Sequence, residues 1–172
     1  TKAIIELHKG KIWIDSELGK GTKVTFSLPK YNTQELFKEC VTHSLKRLSK
    51  EDAALSILVF NLKDISRLKE KMDQEKISSL VYDLQMLVKS KIRRETDIVV
   101  ENDRLIMMIL SGMKKEGALI VLGRIQDSFD NYLAKEPLGK EINIIYETFN
   151  YPQDAKTADE MISKISSLKN ID

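Results

Sequence analysis

Arg94 and Asp97 sit in the run Arg94-Glu95-Thr96-Asp97. The planar fork of an arginine stacks on a base and pairs with phosphate, and a carboxylate nearby accepts from a base edge. The plainer reading of the same spacing is a local ion pair between a helix end and a strand start. Lys89, Lys91, Arg93 and Arg94 cluster where a helix should end, and cations there complement its dipole. A second candidate is the turn Gly19-Lys20-Gly21-Thr22. It lacks P-loop spacing and opens no helix. Asp64 and Asp103 are isolated loop acids, better read as solvated than as ligands of a hard cation. No Ser-His-Asp, Cys-His or zinc-spaced cluster occurs in the sequence.

The chain that must position these residues has 172 of them, room for one ordinary domain plus a fragment, or for two small ones. With 42% hydrophobic and 31% charged residues it has the composition of a soluble globular protein. A formal charge of +2 argues against nucleic-acid or anionic-membrane partners. The single cysteine, Cys40, excludes an internal disulfide and suits a reducing cytoplasm. No apolar run is long enough to span a bilayer, and the start, Thr1 to Glu6, does not read as a signal peptide.

Periodicity divides the chain into elements. A helix leads into strands at Lys11–Ile14 and Val24–Leu28, with Gly19 and Gly21 free to take the positive φ of a tight connection. Trp13 points away from Ile12 and Ile14, a candidate contact for another domain. A hairpin this small needs something to pack on. Thr33 caps a helix from about Gln34 to Ser49 whose stripe runs through Leu36, Phe37, Cys40, Val41, Leu45 and Leu48, suited to a rigid linker or a dimer seam. Leu55–Phe60 is an apolar central strand. A helical stretch near Asp64 follows, then a helix over Gln74–Arg93, strands over Asp97–Val100 and Leu105–Leu110 paired as a hairpin, and a helix over Lys114–Leu133. A strand at Glu141–Phe149 and a helix at Thr157–Leu168 complete the order. That order predicts an α+β, ferredoxin-like core, an antiparallel sheet with packed helices.

The run Glu6-Leu7-His8-Lys9-Gly10-Lys11-Ile12-Trp13-Ile14, with Leu18-Gly19-Lys20-Gly21-Thr22 and Leu28-Pro29, resembles the end of the ATP-binding domain of sensor histidine kinases. That family shows a helix ending in Leu-His-Gly-Gly, a strand, Leu-Gly-x-Gly-Thr, and a strand closing in Leu-Pro. The resemblance implies that residues 1–29 are the tail of that domain, 30–51 a linker helix and 52–172 an appended domain. It makes Gly19, Gly21 and Thr22 the remnant of a turn near the ATP site and His8 a structural residue. ATP and magnesium belong to the parent kinase: the family's asparagine, Asp-x-Gly-x-Gly and lid motifs are absent here. His43, in His43-Ser44-Leu45-Lys46-Arg47, lacks the acid and proline of a phosphoacceptor site and reads as an exposed helix histidine.

The run Tyr151-Pro152-Gln153-Asp154-Ala155-Lys156-Thr157-Ala158-Asp159-Glu160-Met161-Ile162 resembles the late motif of diguanylate cyclase, or GGDEF, domains, Tyr-Pro-x-Asp-Gly-x-Thr-Ala-x-x-Leu-Leu. The likeness extends over roughly residues 52 to 168. It implies that Pro152 and Asp154 shape a turn and that Thr157 caps the last helix. It also implies a catalytic loss. The family's first-strand acids are matched by Asn61 and Lys63, a poor ligand and a repelling cation for a divalent metal. The signature turn is matched by Glu101-Asn102-Asp103-Arg104-Leu105, with side chains where glycines let a nucleotide approach and Arg104 where the catalytic acid belongs. Arg94-x-x-Asp97 keeps the pattern by which many cyclases bind cyclic di-GMP as an inhibitor.

The expectation is therefore a cytoplasmic, non-catalytic regulatory module at the carboxy-terminal side of a two-component sensor kinase, not itself an enzyme. Its partners would be the kinase core, a second copy met through the linker helix or hairpin and, for the parent, a response regulator, with no nucleic acid and no membrane contact. The alternatives are a cyclic di-GMP receptor using Arg94 and Asp97, and an enzyme with residual activity on another nucleotide.

Overall fold

A computed structural model describes residues 2, 5, 10–28, 33–48, 53–63, 65–68, 70–101, 104–137 and 139–167. The chain forms two units, Thr1–Asn32 and Thr33–Asp172.

In the first unit, β1 (Lys11–Glu17) pairs antiparallel with β2 (Gly21–Ser27). The strands run further into the turn than the apolar pattern indicates. Asp15 faces Lys23, and Ser16 faces Thr22 with their hydroxyl oxygens 2.8 Å apart, so polar pairs carry the ladder onward. Gly19 and Gly21 take φ of 78° and 112°, the left-handed freedom expected of them. Gly10 is required for a different reason: a Cβ there would lie 2.5 Å from the Ser27 carbonyl oxygen.

The second unit begins with α1 (Thr33–Arg47). The helix read as a linker is seated within this unit instead. Phe37, Val41 and Ser44, at helical spacing, are buried, and Cys40, Leu45 and Leu48 pack partly against the same cluster. Then come β3 (Leu55–Lys63), the short α2 (Ile65–Leu68), α3 (Gln74–Lys89), β4 (Ile98–Glu101), β5 (Leu105–Ser111), α4 (Lys115–Leu133), β6 (Asn143–Tyr151) and α5 (Ala158–Ser167). The sheet is antiparallel throughout, in the order β4-β5-β3-β6.

Both faces of this sheet are covered, which explains why β3 and β5 read as continuous apolar runs. Leu58, Phe60, Ile106 and Met108 face a cluster completed by Leu84 and Val88 of α3 and by Ile125 and Phe129 of α4. Ile57, Val59, Met107 and Ile109 face the cluster that holds Phe37 and Val41 of α1 and Met161 and Ile165 of α5. Phe60 and Phe129 meet edge to face with centroids 5.6 Å apart.

The last turn matches its sequence. Asp154 Oδ2 accepts from the backbone N–H of Asn150 at 2.7 Å and from its Nδ2 at 2.9 Å. Thr157 Oγ1 accepts from the Glu160 N–H while Glu160 Oε2 accepts from the Lys156 N–H, a reciprocal cap on α5.

Candidate ligand-binding site

The segment between α3 and β4 builds the site. Helix α3 ends at Lys89, short of the Arg93 expected from sequence. Ser90 Oγ donates to the Leu87 carbonyl, and the N–H groups of Lys91 and Ile92 reach back to Val88 and Lys89. In the turn that follows, Ile92 is 37% exposed. Arg94 and Asp97 therefore lie in a loop, closed by a hydrogen bond from the Asp97 N–H to the Arg94 carbonyl at 3.0 Å.

Both residues line a cavity of about 230 Å³. Its rim carries Lys91, Arg93, Arg94 and Arg124, and its floor includes Met108 and Leu110. Asp97 is 9% exposed, and its Oδ1 is buried without a partner. Burial raises the carboxyl pKa above its ordinary value, opposed by backbone hydrogen bonds and by the charge of Arg94. Arg94 itself donates Nη1–H to the Ser111 carbonyl at 3.5 Å. The arrangement is an apolar floor with a cationic rim and one acceptor set inside. It suits an anion that carries a flat polar ring.

Sequence reading of this site missed Arg124, which α4 brings to the rim from a distant part of the chain. The one signal was its helical neighbourhood, since Ile120, Val121 and Arg124 lie on one face of α4 and line the same cavity. It also grouped Lys89 with the other cations. Lys89 instead points its Nζ at Glu101 Oε1, 2.6 Å away.

The positions matched to metal-binding acids lie elsewhere. Asn61 sits between Leu105 and Ile145 across the sheet, and Lys63 faces Asn143. The Arg104 carbonyl accepts from the Leu62 N–H at 2.8 Å. Asp64, Asn102 and Asp103 are outside the described residues, as is His8. Among the described residues no three His, Cys, Asp or Glu side chains converge to hold a metal. His43 is exposed on α1. The glycine turn of the first unit is exposed too, with Lys20 paired to Glu17 at 2.7 Å and Thr22 held by Ser16. A wider hollow of about 560 Å³ lies at the other end of α3, where the Tyr132 hydroxyl donates to Asp83 Oδ2 at 2.7 Å. Burial, then this carboxylate, raises the Tyr132 pKa. The hollow's charged residues are of both signs.

Known structures resemble this architecture. The GGDEF domain of FimX from Pseudomonas aeruginosa superposes with a TM-score of 0.64 at 13% identity, over 80% of this chain and 85% of that one. The fold is that of a GGDEF domain. A DGC protein from Thermotoga maritima matches with a TM-score of 0.61 at 16% identity, over 78% and 92% of the two chains. The active GGEEF domain of a diguanylate cyclase from Vibrio cholerae matches at 0.59 and 12% identity, over 78% and 90%. No protein-family model matches the sequence, and neither does any curated protein. Among the described residues no helix is long and apolar enough to cross a membrane.

Proposed function

We propose that the GGDEF-like unit is a non-catalytic regulatory module that binds cyclic di-GMP through Arg94 and Asp97. The observation that carries this reading is the Asp97 carboxylate, nine-tenths buried and with one oxygen lacking a partner, in the wall of a cavity whose rim is cationic. A cavity of about 230 Å³ is smaller than the ~300–1,000 Å³ that enclose a small molecule. It would hold a base and its adjoining phosphate and leave the rest of the ligand over the rim. Turnover is not part of the proposal. Asn61 and Lys63 put no carboxylate on β3, and Glu101 is engaged with Lys89.

The module's place in a cytoplasmic sensor histidine kinase rests on the residues from Glu6 to Leu28 and on the glycine-turn hairpin they form in part. In that setting ATP and magnesium act on the parent's kinase core, a response regulator receives the phosphoryl group, and this module adjusts the output by contact.

Calorimetric titration with cyclic di-GMP, run beside GTP with magnesium, tests the binding. Saturable binding of the cyclic dinucleotide that Arg94→Ala abolishes is the expected result. No heat with either ligand refutes it and leaves a protein-contact module. The regulatory role is tested separately: autophosphorylation of the full-length kinase, unchanged on deleting residues 52–172, would sink it.

A further inference from the structure

Strand β6 is an edge strand of nine residues, Asn143-Ile144-Ile145-Tyr146-Glu147-Thr148-Phe149-Asn150-Tyr151. The opposite edge, β4, has only four. Long edges are ordinarily blunted by charge or proline, because their free N–H and C=O groups invite another strand. Glu147 is the one charged residue of β6.

Asn150 reveals which backbone groups face outward. Its N–H donates to Asp154 Oδ2 and its carbonyl accepts from the Asp154 N–H, so both point away from β3. Alternation along the strand then turns the backbone groups of Ile144, Tyr146 and Thr148 outward as well. Among the described residues these find no backbone partner. The turn at Asp154 closes one end of the edge, and among the described residues the rest is open.

Glu147 indicates what belongs there. Its Oε2 is buried and has no hydrogen-bond partner. The cation of β3, Lys63, is in register with Asn143, whereas Glu147 faces Val59. Ile145, on the same face as Glu147, is 38% exposed. A buried carboxylate oxygen without a partner is costly, and a cation brought beside it removes that cost. A second copy of β6 does not supply one. Antiparallel self-pairing centred on Tyr146, Glu147 or Thr148 sets Glu147 against Ile145, another Glu147 or Phe149.

We propose that the outer edge of β6 receives an extended segment of a partner protein, with a Lys or Arg opposite Glu147 between apolar residues. Main-chain hydrogen bonds to Ile144, Tyr146 and Thr148 would hold it, and the Glu147 pair would set its register. The inference does not depend on nucleotide binding at Arg94 and Asp97.

The test uses the full chain and a fluorescein-labelled peptide alternating threonine and valine around a central lysine, beside the same peptide with central glutamate. Anisotropy should show saturable binding of the lysine peptide, weaker by at least about tenfold for the glutamate peptide. Glu147→Lys should invert that order, and Glu147→Gln, a near isostere, should remove it. Amide exchange at Ile144, Tyr146 and Thr148 should be fast in the free chain and slow on binding. Four results would overturn the proposal: no binding of either peptide, equal binding of both, those amides already protected in the free chain, or sedimentation showing two copies joined through β6.

Discussion

Lys89 Nζ lies 2.6 Å from Glu101 Oε1, joining the last residue of α3 to the last of β4. The other oxygen of Glu101 is buried and has no partner. Both side chains are only partly exposed, so the pair is worth more than a surface ion pair, and breaking it strands a carboxylate. Lys89→Met should lower the unfolding free energy by about 1–3 kcal/mol, the cost of a buried group left unsatisfied. Adding Glu101→Gln should recover part of that loss. A double-mutant cycle in urea checks it, and additive effects would show that the pair is not coupled.

Asp154 orders the turn before α5. It satisfies the backbone and side-chain amides of Asn150, which is 2% exposed, and the Asn150 Oδ1 lies 2.9 Å from the Ser56 hydroxyl. Asp154→Ala should therefore cost more than removal of the cap at Thr157, for which Thr157→Ala should cost about 1 kcal/mol. Thermal melts of the two variants decide the ranking. Equal losses would mean that water replaces Asp154 at little cost.

Much of this was legible beforehand for physical reasons. The run Leu55–Phe60 is apolar at every position but Ser56, and a strand covered on both faces leaves that mark. Thr157 reads as the cap of the last helix, and its Oγ1 accepts from the Glu160 N–H there. The end of α3 was harder to see. Nothing in Lys89 to Arg93 breaks a helix, yet the helix stops at Lys89 and leaves Ile92 exposed in the following turn. Arg124 joins Arg94 and Asp97 only because α4 returns beside the loop. Such a meeting of distant residues leaves no trace in local spacing. Seating of α1 on the sheet was invisible for the same reason, since its stripe would suit a linker, a dimer or a core equally.

The first unit presents Ile14 and Val24 as cross-strand partners, 66% and 55% exposed, with Phe26 at 58% on the same face. An apolar face of this kind favours association. The weight-average mass of the chain in sedimentation should rise with concentration. Ile14→Lys with Val24→Glu keeps a favourable cross-strand pair while removing the apolar surface, and should hold the chain monomeric. Association undiminished in the double variant would place the contact elsewhere.

At Asp97 the proposed ligand site and the stability of the fold meet in one buried carboxylate. Burial holds its folded-state pKa above the ordinary value of 3.8. A carboxyl raised on folding binds more protons in the folded than in the unfolded chain between those two pKa values. Stability then falls as pH rises through that window. At neutral pH the ionised Asp97 is thus a cost, because its Oδ1 has lost water and gained no partner. Asp97→Asn should raise the thermal midpoint at pH 7, and the gain should shrink as pH drops towards the ordinary aspartate range. The same variant should weaken cyclic di-GMP binding by at least about tenfold if, as proposed, the Asp97 carboxylate meets the ligand. A more stable protein that no longer binds would mark Asp97 as kept for its ligand. If Asp97→Asn destabilises the chain at pH 7, the carboxylate is instead a structural acceptor for the backbone of its own loop.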